Sequence, residues 1–418
     1  MTVADSHRAV EAVWRIESAR VIAALARMVN DIGLAEELAQ DALVAALEEW
    51  PTKGVPDNPG AWLTLTAKHR AIDQFRRRDT YQRKLQEVGR AMELHQESAE
   101  AELDDALDDH VGDDLLRLIF TACHPALPAE GRLALTLRLL GGLSTEEIAR
   151  AFLVPEPTVG QRIVRAKRTL ADKKIPIELP PPGELPVRLA SILEIIYLVF
   201  NEGYAATGGE DWIRPSLCQE AMRLGRVLAG LMPAEPEVHG LLALMEIQAS
   251  RIPARTAPDG APILLPDQDR SRWDRLLVRR GLAALGRAEE LGTLGPYGLQ
   301  AAIAACHARA RTPQDTDWER MAALYRLLAH LTPSPIVELN RAVAVGMAYG
   351  PARGLEIADA LTGERALRGY PQLPAVRGDL LARLGRTEEA AAEFQRAAEL
   401  TRNTRERDLF LNRATALR

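Results

Sequence analysis

"STEEIARAFLVPEPTVGQRIVRAKR", residues Ser144–Arg168, reads as two helices around a tight break. Ser144 with Glu147 three residues on forms a capping-box pattern, and Ile148, Ala149 and Phe152 supply an apolar face behind it. Pro155 and Pro157 stop the first helix and restart the chain in the first turn of the second. There Val159, Ile163, Ala166 and Leu170 recur at helical spacing as one stripe for burial. Thr158, Gln161, Arg162 and Arg165 recur on another face, within reach of phosphates and base edges; with Arg168 they are the candidate DNA contacts. A basic amphipathic helix in an ordinary bundle has the same pattern, so this stretch alone does not establish DNA binding.

The chain has 418 residues and a formal charge of -6, an awkward sign for a nucleic-acid partner until its distribution is examined. Residues 62–90 hold eight Lys/Arg and three Asp/Glu, and residues 158–174 hold six Lys/Arg and one acid. Between them, residues 93–114 hold ten acids and no Lys or Arg. Such a like-charged run resists collapse and stays extended. Net charge therefore says little about partners; the two basic blocks say more.

The upstream basic block has its own context. "AEELAQDALVAALEEW" (Ala35–Trp50) is an amphipathic helix with Leu38, Ala42 and Ala46 inside and acids outside. A Pro/Gly/Asn loop, "PTKGVPDNPGAW", follows, then "LTLTAKHRAIDQFRRRD", a helix with a dense positive face. Four motifs, "AEELAQDALVAAL", "NPGAWL", "AKHRAIDQFRR" and "TVGQRIVRAKRTL", stand in the order found in bacterial extracytoplasmic-function sigma factors. The sequence resembles that family over about residues 10–175.

The resemblance implies roles. Glu36, Glu37, Gln40 and Asp41 would dock on the clamp of core RNA polymerase, where complementary charge steers association; by themselves they read as a solvated acidic face. The loop at 51–61 and the following helix would meet the minus-ten promoter element, where strand opening needs pockets for bases and cations for the backbone. Asn58, Trp62, Lys68, His69, Arg70, Arg76 and Arg77 are the candidates there, although a tryptophan at the head of a helix also suits a core. The helix-turn-helix would read the minus-thirty-five element of promoter DNA, and the acidic ribbon would thread the polymerase toward its RNA exit path. This chain departs from the family at Gly160, where the family often carries a polar or basic side chain, and at Pro157, where it often has glycine or another small residue, so individual base contacts do not transfer.

Beyond residue 175 the chain outruns ordinary members of that family. "KKIPIELPPPGELP" (Lys173–Pro186) is a proline-rich hinge, and helices of about ten to twenty residues separated by Gly/Pro breaks follow. In "PQLPAVRGDLLARLGRTEEAAAEFQRAAELTR", Gly378, Leu381, Gly385, Ala390, Phe394 and Ala397 fall on the small/large pattern of a tetratricopeptide repeat. The stretch from Pro333 is a degenerate copy with Ala342 and Gly350 in comparable places. The expected fold is all-α in five segments: a sigma region-two domain (1–92), an acidic linker (93–114), a region-four helix-turn-helix domain (115–175), the hinge (176–186) and a tetratricopeptide-like domain (187–418).

Chemistry is not expected. The chain has no GxSxG, phosphate-binding glycine loop or zinc motif, and "DQDRSRW" (Asp267–Trp273) lacks the third ligand a metal would need. Asp267 reads instead as an N-cap. No cofactor, metal or membrane partner is expected, and Cys123, Cys218 and Cys306, far apart, read as buried filler in a reducing cytoplasm. The expected partners are core RNA polymerase, promoter DNA and a protein or peptide on the helical tail. Two other readings remain open at this level: a DNA-binding regulator that never joins polymerase, and a helical-repeat sensor or scaffold.

Overall fold

The structure, a computed structural model, describes residues 3–87, 111–205, 213–258 and 260–417. It is all-α, as the three- and four-residue apolar spacings require, with no strand among the described residues and an isolated bridge between Thr256 and Pro262. Two compact units divide it, Met1–Ile195 and Ile196–Arg418. The division falls within the helix Leu185–Tyr204, later in the chain than the proline-rich segment at 176–186.

In the first unit α1 (Val3–Val29) packs against α2 (Ile32–Lys53) and α3 (Pro59–Glu87) through Val21, Ile22, Leu25 and Ala26. α2 buries Leu38, Ala42 and Ala46 together with Ala35, Ala39 and Trp50. It runs through Pro51, which sits in the last turn where its missing N–H removes one intrahelical bond, and ends where Gly54 takes a positive φ of 86°. α4 (Val111–Ala122) packs on α1, and α5 (Ala129–Leu139), α6 (Thr145–Phe152) and α7 (Glu156–Asp172) complete the unit. Most of the acidic ribbon expected at 93–114 lies outside the described residues. Its last residues belong to the first turn of α4, where buried Asp114 pairs with Arg27 at 3.2 Å and Arg117 at 3.9 Å.

The start of α8 (Leu185–Tyr204) closes this unit. Ser191 Oγ donates to the carbonyl of Cys123 at 2.7 Å, and Arg188 donates to that of Phe120 at 3.0 Å. Phe120 lies in the last turn of α4 and Cys123 just past its end, where carbonyls lack an intrahelical partner.

In the second unit each helix packs on the next: α9 (Pro215–Leu231), α10 (Pro236–Ala249), α11 (Arg275–Leu291), α12 (Pro296–Arg309), α13 (Trp318–Leu331), α14 (Pro335–Tyr349), α15 (Pro351–Ala360), α16 (Gln372–Arg383), α17 (Thr387–Leu400) and α18 (Thr404–Ala416). Helical repeats show this nearest-neighbour stacking, since no single hairpin can bury its own apolar face. Gly378 on α16 faces Phe394 on α17, and a Cβ there would meet the ring at 3.0 Å. The glycine thus lets an aromatic ring fill the crossing. Gly350 and Gly385, both at positive φ, turn the chain between paired helices. Cys123, Cys218 and Cys306 are free and buried, and burial pushes the Cys123 thiol up to about 11, so it stays protonated.

Candidate nucleic-acid interface

The helix-turn-helix is built as its sequence requires. Ser144 Oγ accepts from the N–H of Glu147 at 3.1 Å, and the Glu147 carboxylate accepts from the N–H of Ser144 at 2.8 Å. This reciprocal cap fixes where α6 begins. Leu153, left-handed at φ 51°, ends α6, and Pro155 and Pro157 open α7. Val159, Ile163, Ala166 and Leu170 are all buried. On the opposite side Gln161, Arg165 and Arg168 are exposed, with Thr158 and Arg162 half-buried beside them. Among the described residues none of the three arginines has an ion pair or side-chain hydrogen bond, so their donors stay available to an outside anion. A Cβ on Gly160 would approach only Thr145 Cγ2, at 4.0 Å, so internal packing does not demand glycine there.

The second basic block is less uniform than its sequence. His69 and Arg76 are exposed on α3, but Lys68 is buried, its side chain turned inward beside Leu63, Ala67 and Ala71 on the core face of the helix. The dense run of basic residues around 68–78 conceals that one of them shares the apolar register. Asn58 caps α3, its Oδ1 accepting from the N–H of Ala61 at 3.1 Å, so it fixes the entry to the helix. Trp62 is half-buried, edge-on to buried Trp50 with centroids 5.4 Å apart. Arg70 lies 3.7 Å from Asp41, and Arg77 stands on α3 with its side chain outside the described residues.

α2 corrects the reading of its acids. Glu37 and Asp41 are exposed, but Glu36 is buried and turned inward. Its carboxylate accepts from Arg138 Nε at 2.7 Å, from Gln40 Nε2 at 2.8 Å, and pairs with Lys167 on α7. Burial raises the Glu36 pKa, yet the Lys167 and Arg138 charges outweigh it and hold the carboxyl below the usual range. Arg15 reaches Glu147 at 2.9 Å from α1. Charge therefore ties α1 and α2, on which α3 packs, to α5, α6 and α7 within one unit. No pattern in the sequence announces Arg138 or Lys167 as partners, because the Arg138 contact spans 102 positions.

"DQDRSRW" is likewise a fastening. Asp269 and Asp274, not Asp267, are the N-caps, accepting from Ser271 at 2.9 Å and from Leu276 at 2.8 Å. Trp273 is buried between the guanidinium groups of Arg251 and Arg270. Among the described residues no group of three or more His, Cys, Asp or Glu side chains could hold a metal, and no helix is long and apolar enough to cross a membrane.

Comparison with known proteins agrees with this geometry. Residues 15–81 match the family "Sigma-70 region 2", residues 117–170 match "Sigma-70, region 4", and residues 188–289 match a family of unknown function, DUF6596. An uncharacterized protein of Rhizobium meliloti is 45% identical over 388 residues, covering 93% of this chain and 90% of that protein. A Mycobacterium tuberculosis protein described as a probable ECF RNA polymerase sigma factor, SigI, is 27% identical over 177 residues, 42% of this chain and 59% of its own length. With region 2 on α1–α3 and region 4 on α4–α7, the chain belongs to the extracytoplasmic-function branch of the sigma-70 family, RNA polymerase sigma factors that direct core enzyme to promoters.

Proposed function

We propose that Gln161, Arg165 and Arg168, with Thr158 and Arg162 at the edge, read the upstream promoter element, and that His69, Arg70 and Arg76 follow the backbone of the minus-ten element. The observation that carries this reading is the exposed, internally unpaired face of α7, set on a buried apolar stripe and a fixed helix start. Asn58, Trp62 and Lys68 act indirectly, by setting the position of α3. Glu37 and Asp41 are the acids that meet polymerase, while Glu36 and Gln40 hold the internal clasp. Lys167 leaves Glu36 when the two basic helices separate to span the promoter. The protein works by binding, in the cytoplasm, where polymerase and promoters are found.

The second unit adds contacts within the initiation complex. Its sequence has no acidic run able to imitate DNA and mask the basic faces, and stacked helical pairs present extended surfaces to proteins or peptides. Reconstituted transcription tests the whole reading. The full chain should make core polymerase initiate at a cognate promoter, and Glu37→Lys with Asp41→Lys should abolish association with core while leaving the helical circular dichroism unchanged. Promoter binding without any initiation would instead favour a DNA-binding regulator that does not join polymerase.

A further inference from the structure

The segment before α11 crosses the ends of several helices and leaves a cavity beneath it. Arg270 is buried, and its Nη1 donates to the carbonyls of His307 and Ala310, each at 2.8 Å, closing the C-terminal end of α12. Its Nη2 reaches Thr316 Oγ1 at 3.3 Å. These bonds hold Leu265 and Pro266 over α13 and α14, and a half-open cavity of about 280 Å³ remains between them. Trp318, Met321, Tyr325, Val343 and Met347 supply much of its apolar wall. Met321 and Ala344 also belong to the buried cluster beneath, so the floor is part of the packed core rather than a loose surface.

Three features define what would fit. First, the lining acid is already answered: Asp379 accepts from Arg413 at 2.6 Å, while buried Arg270 keeps its positive charge, bonded only to neutral carbonyls and Thr316. A cationic ligand would find no free counter-ion, so its desolvation would go uncompensated. Second, polar capacity is left over. Among the described residues His307 Nδ1 and Arg270 Nε have no hydrogen-bond partner although both residues are only 8% exposed, and Asn340, at the exposed margin, makes no side-chain hydrogen bond. Unmet buried polar groups are rare in native proteins, and one cavity wall carries two of them. Third, an apolar cavity of about 150 Å³ holds benzene, so this volume suits about two fused rings. Flexible Met321 and Met347 can shape themselves to a flat ligand, and Trp318 and Tyr325 supply aromatic surface.

We infer that this cavity is a binding site for a two-ring aromatic molecule that carries a hydrogen-bonding group and no positive charge, which makes the second unit a small-molecule-binding module. This stands independently of whether that unit adds contacts to the initiation complex.

The test uses the full chain and β-naphthol as probe, with 2-naphthylmethylammonium, of similar size, as its cationic control. Isothermal titration should give saturable one-to-one binding of β-naphthol, with the cation at least about tenfold weaker, the factor that about 1.4 kcal/mol of uncompensated charge would give. Val343→Trp, which fills the cavity, should abolish binding while the chain keeps its helical circular dichroism. Asn340→Ala, at an exposed position that does not threaten folding, should weaken binding about three- to tenfold, as expected for one lost hydrogen bond. No saturable binding to the wild-type chain would overturn the assignment. So would equal binding by wild type and both variants, and tighter binding of the cation would overturn the inferred exclusion of positive charge.

Discussion

Arg165 and Lys167 stand two positions apart on α7 and have opposite fates. Arg165 is exposed and internally unpaired, whereas Lys167 is half-buried on Glu36. Arg165→Ala should weaken upstream-element binding by about 1–3 kcal/mol if it meets a base, or lower the salt slope by about one if it meets a phosphate. Titration of promoter DNA at several salt concentrations checks this, and unchanged affinity together with unchanged slope would remove Arg165 from the interface. His307 offers a second test at this scale. Burial, with the nearby Arg251 and Arg270 charges, holds its pKa down at about 3. Between pH 6.5 and 3 the unfolded chain takes a proton that the folded chain refuses. The stability of the second unit is thus full above pH 6.5 and falls as pH drops through that window. Between pH 7 and 5 this residue should remove about 1–2 kcal/mol, and His307→Gln should flatten the slope by that amount in denaturant titrations followed at both pH values.

Glu36 joins two elements that the sequence keeps apart. The same α2 face that looks uniformly acidic in sequence divides in space, with Glu37 and Asp41 outward and Glu36 against α5 and α7. Glu36→Gln should loosen the clasp by about 1–3 kcal/mol, the worth of a charged hydrogen-bonded contact, because two cations lose their counter-charge. Fluorescence energy transfer between labels on α3 and α7 should report a larger mean separation in the variant. The wild-type clasp should respond to acid in the same direction. Its folded carboxyl pKa is lowered, so its stabilisation is present above the ordinary glutamate value and is lost as pH falls through the lower one. Unchanged transfer in Glu36→Gln would mean that apolar packing of α1 on α4 holds the helices together without it.

For the whole molecule, α8 decides where the chain can be cut. A cut after Ile177, at the proline-rich segment, would remove the hydrogen bonds that Arg188 and Ser191 give to Phe120 and Cys123 in the first unit. A chain ending after Tyr204 keeps them. With the second unit adding contacts, that chain should give less promoter output than the full chain at equal concentration in a reconstituted assay. A rise in output would show that the second unit restrains the first.

The sequence by itself determined the all-α class, the helix-turn-helix, its capping box and buried stripe, and the small/large register of the last helical pairs. Each depends on residues within one or two turns of one another, so spacing along the chain is spacing in space. Val159, Ile163, Ala166 and Leu170 could be assigned to the core, and Gln161, Arg165 and Arg168 to the surface, from periodicity alone. Only the tertiary structure decided that Lys68 points inward, that Asn58 caps α3, and that Glu36 faces Arg138 and Lys167 rather than solvent. It also decided that Arg270 ties the end of α12 and leaves a cavity behind it. An acidic or basic residue reads the same in sequence whether water or a distant counter-charge solvates it. The choice between those two depends on which helices meet, and that follows from the burial of apolar faces across the whole chain.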